Sequence, residues 1–298
     1  MGKGDGNGMI KEITAKTLLS RVKGPDAWFG LTYNMNLYRG CEHQCIYCDS
    51  RSECYGIENF ADTLVKVNAV DLLRRELAGK RLVGAIGTGS MHDPYMPSER
   101  RFGLTGSALR VIAEFGFPVH IITKSDLVLK DLGTLKEISR VYAAVSFSIT
   151  TADDDLARKL EPGAPPPSAR AQAMAALATA GIYTGVTMMP ILPYLEDKEE
   201  NIAQVVGLAY HSGAQYIIPA IGMTMRDRQR EYFYGKLDEL FPGVKEKYQR
   251  SYGDCYECAP PNAKRLSDLF GALCREKGIP TVITPFQPRP AKGQLKLF

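Results

Sequence analysis

Three cysteines fall within one short run, Arg39-Gly40-Cys41-Glu42-His43-Gln44-Cys45-Ile46-Tyr47-Cys48, and their C-x₃-C-x₂-C spacing constrains the chain more than any other feature. Clustered thiolates select soft metals, either zinc or an iron–sulfur cluster. Structural zinc sites are closed by four ligands, usually as paired short-spaced units. A [4Fe–4S] cluster normally takes four cysteines as well. Here one tight loop offers three sulfurs and no adjacent fourth. Three cysteines on a cubane leave one iron without a protein thiolate, open to a substrate or cofactor, which is a catalytic arrangement. The plainer alternatives are a zinc knuckle that recruits His43, or a chance cluster.

The chain has 298 residues, 45% of them hydrophobic, and a mean hydropathy of -0.17, which suits one large domain with or without an appendage. No run of eighteen apolar residues suggests a membrane span. The opening residues 1–8 are glycine-rich and polar, lack the apolar stretch of a signal peptide, and are expected to form a flexible tail. Seven cysteines, three of them clustered, point to a reducing compartment, hence the cytoplasm, and not to a disulfide framework. A net charge of +4 permits an acidic partner such as nucleic acid without demanding one.

Residues 9–30 read as a helix or extended arm. From there short apolar runs alternate with helical patterns. Strands are expected at 30–38, 82–87, 118–123, 142–149, 183–189 and 215–220. Helices are expected at 70–77, 105–115, 128–139, 168–180 and 198–211. Such alternation means βα units, a parallel sheet and right-handed crossovers. The division that follows is an arm at 1–29, a barrel-like body at 30–221, an extension at 222–284 covering the mouth, and a flexible tail at 285–298. The extension would hold helices near 227–240 and 262–277 and a short strand at 281–283.

The cysteine spacing, with the aromatic Tyr47 just before the last cysteine, resembles the signature of radical S-adenosylmethionine (SAM) enzymes. That resemblance implies an α/β fold, a partial (β/α)6 TIM-type barrel with a mostly helical C-terminal extension, and a site at the C-terminal ends of the strands. It also implies that Cys41, Cys45 and Cys48 hold a [4Fe–4S] cluster whose fourth iron is chelated by SAM. One electron, from a donor such as flavodoxin or ferredoxin, would then cleave SAM to a 5′-deoxyadenosyl radical.

At the end of the second strand, Gly87-Thr88-Gly89-Ser90-Met91-His92-Asp93-Pro94-Tyr95-Met96-Pro97-Ser98-Glu99 resembles the segment that binds the SAM amino group, making Gly87, Thr88, Ser90 and Asp93 candidates. Its D-P-Y-x-P-x-E run is similar to the branch that includes spore photoproduct lyase, a carbon–carbon lyase of DNA repair. That branch implies SAM-carboxylate contacts at Lys124, Ser146 and Ser148, and adenine contacts at Ile191 and Leu192. The ordinary readings are a βα loop, a solvated lysine, satisfied sheet serines and core apolar residues.

The resemblance breaks at one point. Spore photoproduct lyases place a hydrogen-donating cysteine near the end of the second strand, and this chain has none between Cys54 and Cys255. Cys54, Cys255, Cys258, Tyr95 or Tyr252 would have to take that role, or the reaction differs. Cys54 with Cys255-x₂-Cys258 could instead ligate a second metal, or all three could simply pack. Cys274 reads as core.

The last five residues, with Gln294, Leu295, Leu297 and Phe298, resemble the Q-L-x-L-F pentapeptide that docks DNA repair proteins on the β sliding clamp. Basic clusters interleaved with tyrosines at 226–234 and 245–252 suit phosphates and extruded bases, or else are solvated helix faces. The reading that results is a radical SAM enzyme acting on DNA. Its rivals are radical SAM modification of RNA, a peptide or a small metabolite, and a non-catalytic metal-bearing DNA-binding protein recruited to the clamp.

Overall fold

A computed structural model describes residues 8–24 and 26–288. The N-terminal segment gives β1 (Ile10–Ile13), β2 (Leu19–Arg21), β3 (Tyr33–Met35), β4 (Tyr38–Arg39) and β5 (Thr63–Lys66). The body continues with α1 (Ala69–Ala78), β6 (Ile86–Thr88), α2 (Glu99–Phe102), α3 (Leu104–Glu114), β7 (Val119–Thr123), α4 (Leu132–Ile138) and β8 (Ala143–Ser148). Then come α5 (Asp154–Leu160), α6 (Pro167–Thr179), β9 (Tyr183–Ile191), α7 (Glu199–His211) and β10 (Ile217–Ile221). The extension holds β11 (Met223–Thr224), α8 (Asp227–Leu240), α9 (Val244–Tyr252), β12 (Glu257–Cys258) and α10 (Ala263–Glu276).

The main sheet runs β2-β3-β6-β7-β8-β9-β10. Only β2 is antiparallel to its neighbour, so six parallel strands with helices on their outer side form the expected partial barrel. All six residues of β8 are buried, which is why that strand reads as a continuous apolar run. Its alternate residues serve two layers. Val145 and Phe147 join the core under the helices with Ile121, Met188, Leu177 and Val205, while Ala144 packs with Tyr216, Ile218 and Ile283 in a separate inner cluster. The amphipathic α10 buries Leu266, Phe270 and Cys274 on one stripe, so Cys274 is core as expected.

A second small sheet, β1-β5-β4, carries the cysteine loop, since β4 feeds into it and β5 returns from it. Gly40, at φ 78°, sits at the entrance, where an added Cβ would strike the Asp62 carbonyl oxygen.

Of the two readings of residues 9–30, the extended arm is the one that holds: its described residues contribute one strand to each of the two larger sheets and form no helix. Several other expectations need correction. The strand expected at 30–38 divides, Tyr33–Met35 entering the barrel and Tyr38–Arg39 the small sheet. Leu82 and Val83 lie outside β6 and are exposed. Residues 281–283 form no strand, although the Pro280 carbonyl accepts from the Ile217 N–H beside them. Helices α5 and α9 were not anticipated.

The extension divides. The segment from β11 to β12 lies at the C-terminal ends of the strands, where the Gln229 side chain donates to the Tyr47 carbonyl at 3.0 Å and the Tyr248 hydroxyl to the Pro193 carbonyl at 2.9 Å. After α10 the chain turns to the opposite end, where Phe286 meets Tyr142. No described helix is long and apolar enough to cross a membrane. Gln294, Leu295, Leu297 and Phe298 lie outside the described residues.

Candidate active site

The cysteine loop rests on the turn that follows α5. The Ile46 N–H donates to the Leu160 carbonyl at 2.9 Å and the Gly163 N–H to the His43 carbonyl at 3.0 Å. A Cβ at Gly163 would collide with the Glu42 carbonyl oxygen, so the loop approaches this turn as closely as glycine allows. Cys41 and Cys45 are buried and Cys48 is half-buried. Burial pushes the Cys45 thiol up to about 12 and raises Cys41 further, so without a metal both sulfurs stay protonated.

His43 is withdrawn from them. Its Nδ1 lies 3.0 Å from the Gly163 carbonyl and its Nε2 lies 3.1 Å from Asp93 Oδ2. Both ring nitrogens are thus engaged, which removes the imidazole a zinc knuckle would need. Among the described residues no three His, Cys, Asp or Glu side chains converge on one metal ion. Three sulfurs spread along one loop, with no imidazole or carboxylate turned in among them, suit a cluster with several irons better than a single ion. The donor set fits the group the motif implies.

Asp93 is a cross-link. Oδ1 accepts from the Tyr95 N–H at 2.8 Å and the Thr123 hydroxyl at 2.7 Å, and Oδ2 from the Lys124 N–H at 2.6 Å. Burial alone would raise its pKa, but the His43 contact and these donors hold it below the ordinary carboxylate range. Gly87 and Thr88 are buried nearby, and Gly89, at φ 102°, presses against the Ile122 carbonyl. Ser90 is exposed. Tyr95 is wholly buried in the main core, and its hydroxyl donates to Asp131 at 3.0 Å.

Lys124 stands at the end of β7 with Nζ 3.7 Å from Glu161 Oε1 and 5.8 Å from the Tyr47 ring centroid. Burial would lower its pKa; Cys45 and Glu161 more than offset this and keep it raised. Glu161 is 2% exposed, pairs with Arg170 at 2.5 Å, and accepts from the Tyr47 hydroxyl. Arg170 in turn donates to the Pro165 carbonyl at 2.7 Å and the Ser148 carbonyl at 2.8 Å. One buried network therefore joins Tyr47 of the cysteine loop to the ends of β7 and β8.

The two serines of β8 sit differently. Ser148, the last residue of the strand, meets the Thr187 hydroxyl at 3.1 Å. Ser146 lies one pleat deeper, with its hydroxyl 2.8 Å from His120 Nε2 and 2.7 Å from the Tyr216 hydroxyl. Ile191 and Leu192 are fully buried. The Ile191 carbonyl accepts from Gly222 and the Leu192 N–H donates to Glu196, so these main-chain groups are already partnered.

Cys258 is buried in the same apolar cluster as Cys45 and Tyr47, whereas Cys255 and Cys54 are exposed. The Cys54 sulfur contacts Arg226 and the Ser52 hydroxyl, each at 3.3 Å. Tyr252 donates to the Ala259 carbonyl at 2.7 Å. Sequence reasoning missed Glu161, Arg170, Glu196, Arg51 and Gln229. Arg170 had a signal, being the only charge in the alanine-rich run 169–179. Glu161 had a weaker one, directly before Pro162-Gly163.

The sequence profile of the Radical SAM superfamily matches residues 35–206, and the chain belongs to that superfamily, whose members use a [4Fe–4S] cluster and SAM. An uncharacterised protein of Mycobacterium tuberculosis is 32% identical over 251 residues, covering 81% of this chain and 73% of that one. A protein of Pseudomonas phage M6 described as a radical SAM Nalpha-GlyT isomerase is 22% identical over 230 residues, covering 77% of this chain and 44% of that one. Among solved structures, a spore photoproduct lyase mutant with bound AdoMet and dinucleoside spore photoproduct superposes with a TM-score of 0.68. It is 15% identical, over 90% of this chain and 79% of that one, and at that identity the likeness is one of fold.

Proposed function

We propose that this radical SAM enzyme acts on a nucleic-acid substrate, breaking a carbon–carbon bond in a DNA lesion. The observation that carries the reading is the placement of Lys124. It stands beside the cysteine loop as a cation held by the sealed Glu161–Arg170 pair, where an anionic cofactor group can meet it. When bound at Cys41, Cys45 and Cys48, the cluster supplies the electron that cleaves SAM to a 5′-deoxyadenosyl radical. The protein's own residues bind, aim and shield. Lys124 and Ser148 would take the carboxylate end of SAM, the Thr88–Ser90 loop would serve its amino end, and the apolar Ile191–Leu192 corner would back its adenine. Asp93 and Tyr47 fix the loops that carry these groups.

Support for nucleic acid comes from the rim. Tyr194 and Tyr252, both half-buried, pack on the fully buried Tyr248, with ring centroids 5.6 Å apart for Tyr194–Tyr248 and 5.4 Å for Tyr248–Tyr252, so Tyr194 and Tyr252 are the rings at the rim. Lys247 lies 5.9 Å from the Tyr194 ring. Aromatic faces with nearby cations suit stacked bases and phosphates. The lyase that shares the fold is seen with a dinucleoside.

A second reading keeps the nucleic acid but changes the outcome. With no cysteine between Cys54 and Cys255, rearrangement within the substrate, as in an isomerase, needs no thiol donor of the lyase kind. The test is anaerobic reconstitution followed by assay of 5′-deoxyadenosine with irradiated DNA, RNA or peptide. The proposal expects stimulation by irradiated DNA. Equal release with all three, or release stimulated only by RNA or peptide, would overturn it.

A further inference from the structure

Arg51 ends the turn that follows Cys48, and its whole residue is only 9% exposed. Its guanidinium carbon lies 3.6 Å from the centroid of the Tyr232 ring and 4.3 Å from that of Phe60, so two rings cover its faces. One ring belongs to the segment after the cysteine loop and the other to α8 of the extension. In the plane between them, Nη2 donates to Gln44 Oε1 at 2.9 Å and Nε points to the Cys45 carbonyl at 3.4 Å. Gln44 holds the strained end of this contact. Its backbone is left-handed, at φ 52°, and its amide donates to the Cys41 carbonyl at 2.7 Å and the Phe60 carbonyl at 3.2 Å.

Among the described residues no carboxylate forms an ion pair with this guanidinium. Burial lowers its pKa, opposed by the Tyr232 phenol and then by the sulfurs of Cys48, Cys45 and Cys41. An arginine stays protonated even so. A buried cation without a counter-charge is costly, and two aromatic faces relieve only part of that. The negative charge within reach is the one the three cysteines carry once they bind metal.

We infer that Arg51 is the counter-charge of the cysteine loop, a positioning residue that raises the reduction potential of the cluster and is kept dry by Tyr232. The inference rests on the reading that Cys41, Cys45 and Cys48 hold the cluster. The potential of such a cluster depends on net charge, hydrogen bonding and solvent exposure. Reduction adds one negative charge. A fixed cation therefore favours the reduced form, and its removal makes the cluster harder to reduce. Tyr232 also gives the extension a part in the chemistry, because it closes the side of the guanidinium that would otherwise meet water in the groove beside α5 and α8.

The test uses the full-length, anaerobically reconstituted protein with Arg51→Met, Arg51→Lys and Tyr232→Leu. Iron per chain is measured first, then the midpoint potential by dye-mediated titration with dithionite, followed by the spectrum of the reduced cluster. Arg51→Met should load iron and show a reduced-to-oxidised ratio about tenfold lower at a fixed poise, which is about 59 mV for a one-electron couple. Arg51→Lys should recover most of that loss. Tyr232→Leu should shift the same way by less, and more at high salt, because the charge becomes screened. A loaded Arg51→Met at the wild-type potential overturns the inference. So does an Arg51→Lys shifted as far as Arg51→Met, since shape and not charge would then be responsible. Should Arg51→Met fail to load, an unshifted Tyr232→Leu overturns it equally. If Cys41→Ala keeps its iron, the reading of the cluster site fails instead.

Discussion

Glu161 and Arg170 form an ion pair 2.5 Å long whose two side chains are 2% and 1% exposed. Lys124 approaches the same carboxylate and the Tyr47 hydroxyl donates to it, so one buried negative charge balances two cations beneath the cysteine loop. Removing one member of a buried pair leaves an uncompensated charge, which typically costs about 3–5 kcal/mol. Glu161→Gln keeps the size and takes away the charge. It should destabilise the metal-free protein by an amount in that range, read from denaturant midpoints at constant slope. A change below about 0.5 kcal/mol, the usual span of neutral surface substitutions, would show that the network contributes nothing to the fold.

Glu196 makes the stability depend on pH. Burial pushes its carboxyl up to about 8, outweighing the hydrogen bonds from the Thr150 hydroxyl and the Leu192 N–H. In the unfolded chain it titrates at about 4.3. Between those values the folded protein holds a proton the unfolded chain has released, so stability falls as pH rises from about 4.3 to about 8 and levels off on either side. His92 and His120, both lowered to about 3 by burial, tilt the curve the other way at acid pH. They act equally in wild type and variant. Glu196→Gln should therefore show a stability that gains on the wild type across pH 5–8, by on the order of 4 kcal/mol at the top of the window. Parallel curves for the two proteins would refute the assignment.

What was legible depended on how far apart in sequence the deciding residues lie. The strand Ala143–Ser148 and the helix Asp227–Leu240 were readable because burial on both faces, or on one stripe, writes its period into adjacent residues. The cysteine loop was readable because its chemistry is carried by local spacing. β1 was not, since three of its four residues are exposed and it is held by main-chain pairing to β5. Arg51 and Glu161 look like ordinary surface charges until Tyr232 and Arg170 fold over them. The two serines of β8 share a pattern, and only the inner His120 and Tyr216 distinguish them.

Tyr95 offers a clean separation of structural from chemical roles. Its hydroxyl is engaged by Asp131 and its ring is wholly inside the core. Tyr95→Phe removes one hydrogen bond and leaves the carboxylate short of a donor, a loss of about 1–3 kcal/mol. Release of 5′-deoxyadenosine per cluster should be unchanged at temperatures where both proteins are folded. If the variant is as stable as wild type but stalls after SAM cleavage, Tyr95 is the hydrogen donor after all.

The cysteines themselves can be sorted by iron content. Alanine at Cys41, Cys45 or Cys48 should each abolish bound iron, because a cluster open at one corner cannot spare another thiolate. His43→Gln should retain it, since both imidazole nitrogens are taken by Gly163 and Asp93 and neither faces a metal. Cys255→Ala and Cys258→Ala should leave iron per chain unaltered, as Cys258 is buried in an apolar cluster while Cys255 and Cys54 are exposed, and the Cys54 sulfur contacts Arg226 and Ser52. Loss of about half the iron in either variant would instead require a second cluster. In Cys258 the buried thiol, raised to about 11 by burial, stays protonated and so keeps a hydrogen atom to give. If Cys258→Ala keeps full iron and cleaves SAM but accumulates an unquenched or misquenched product, that thiol is the donor the second strand lacks. Normal product from the same variant would assign the step to the substrate itself.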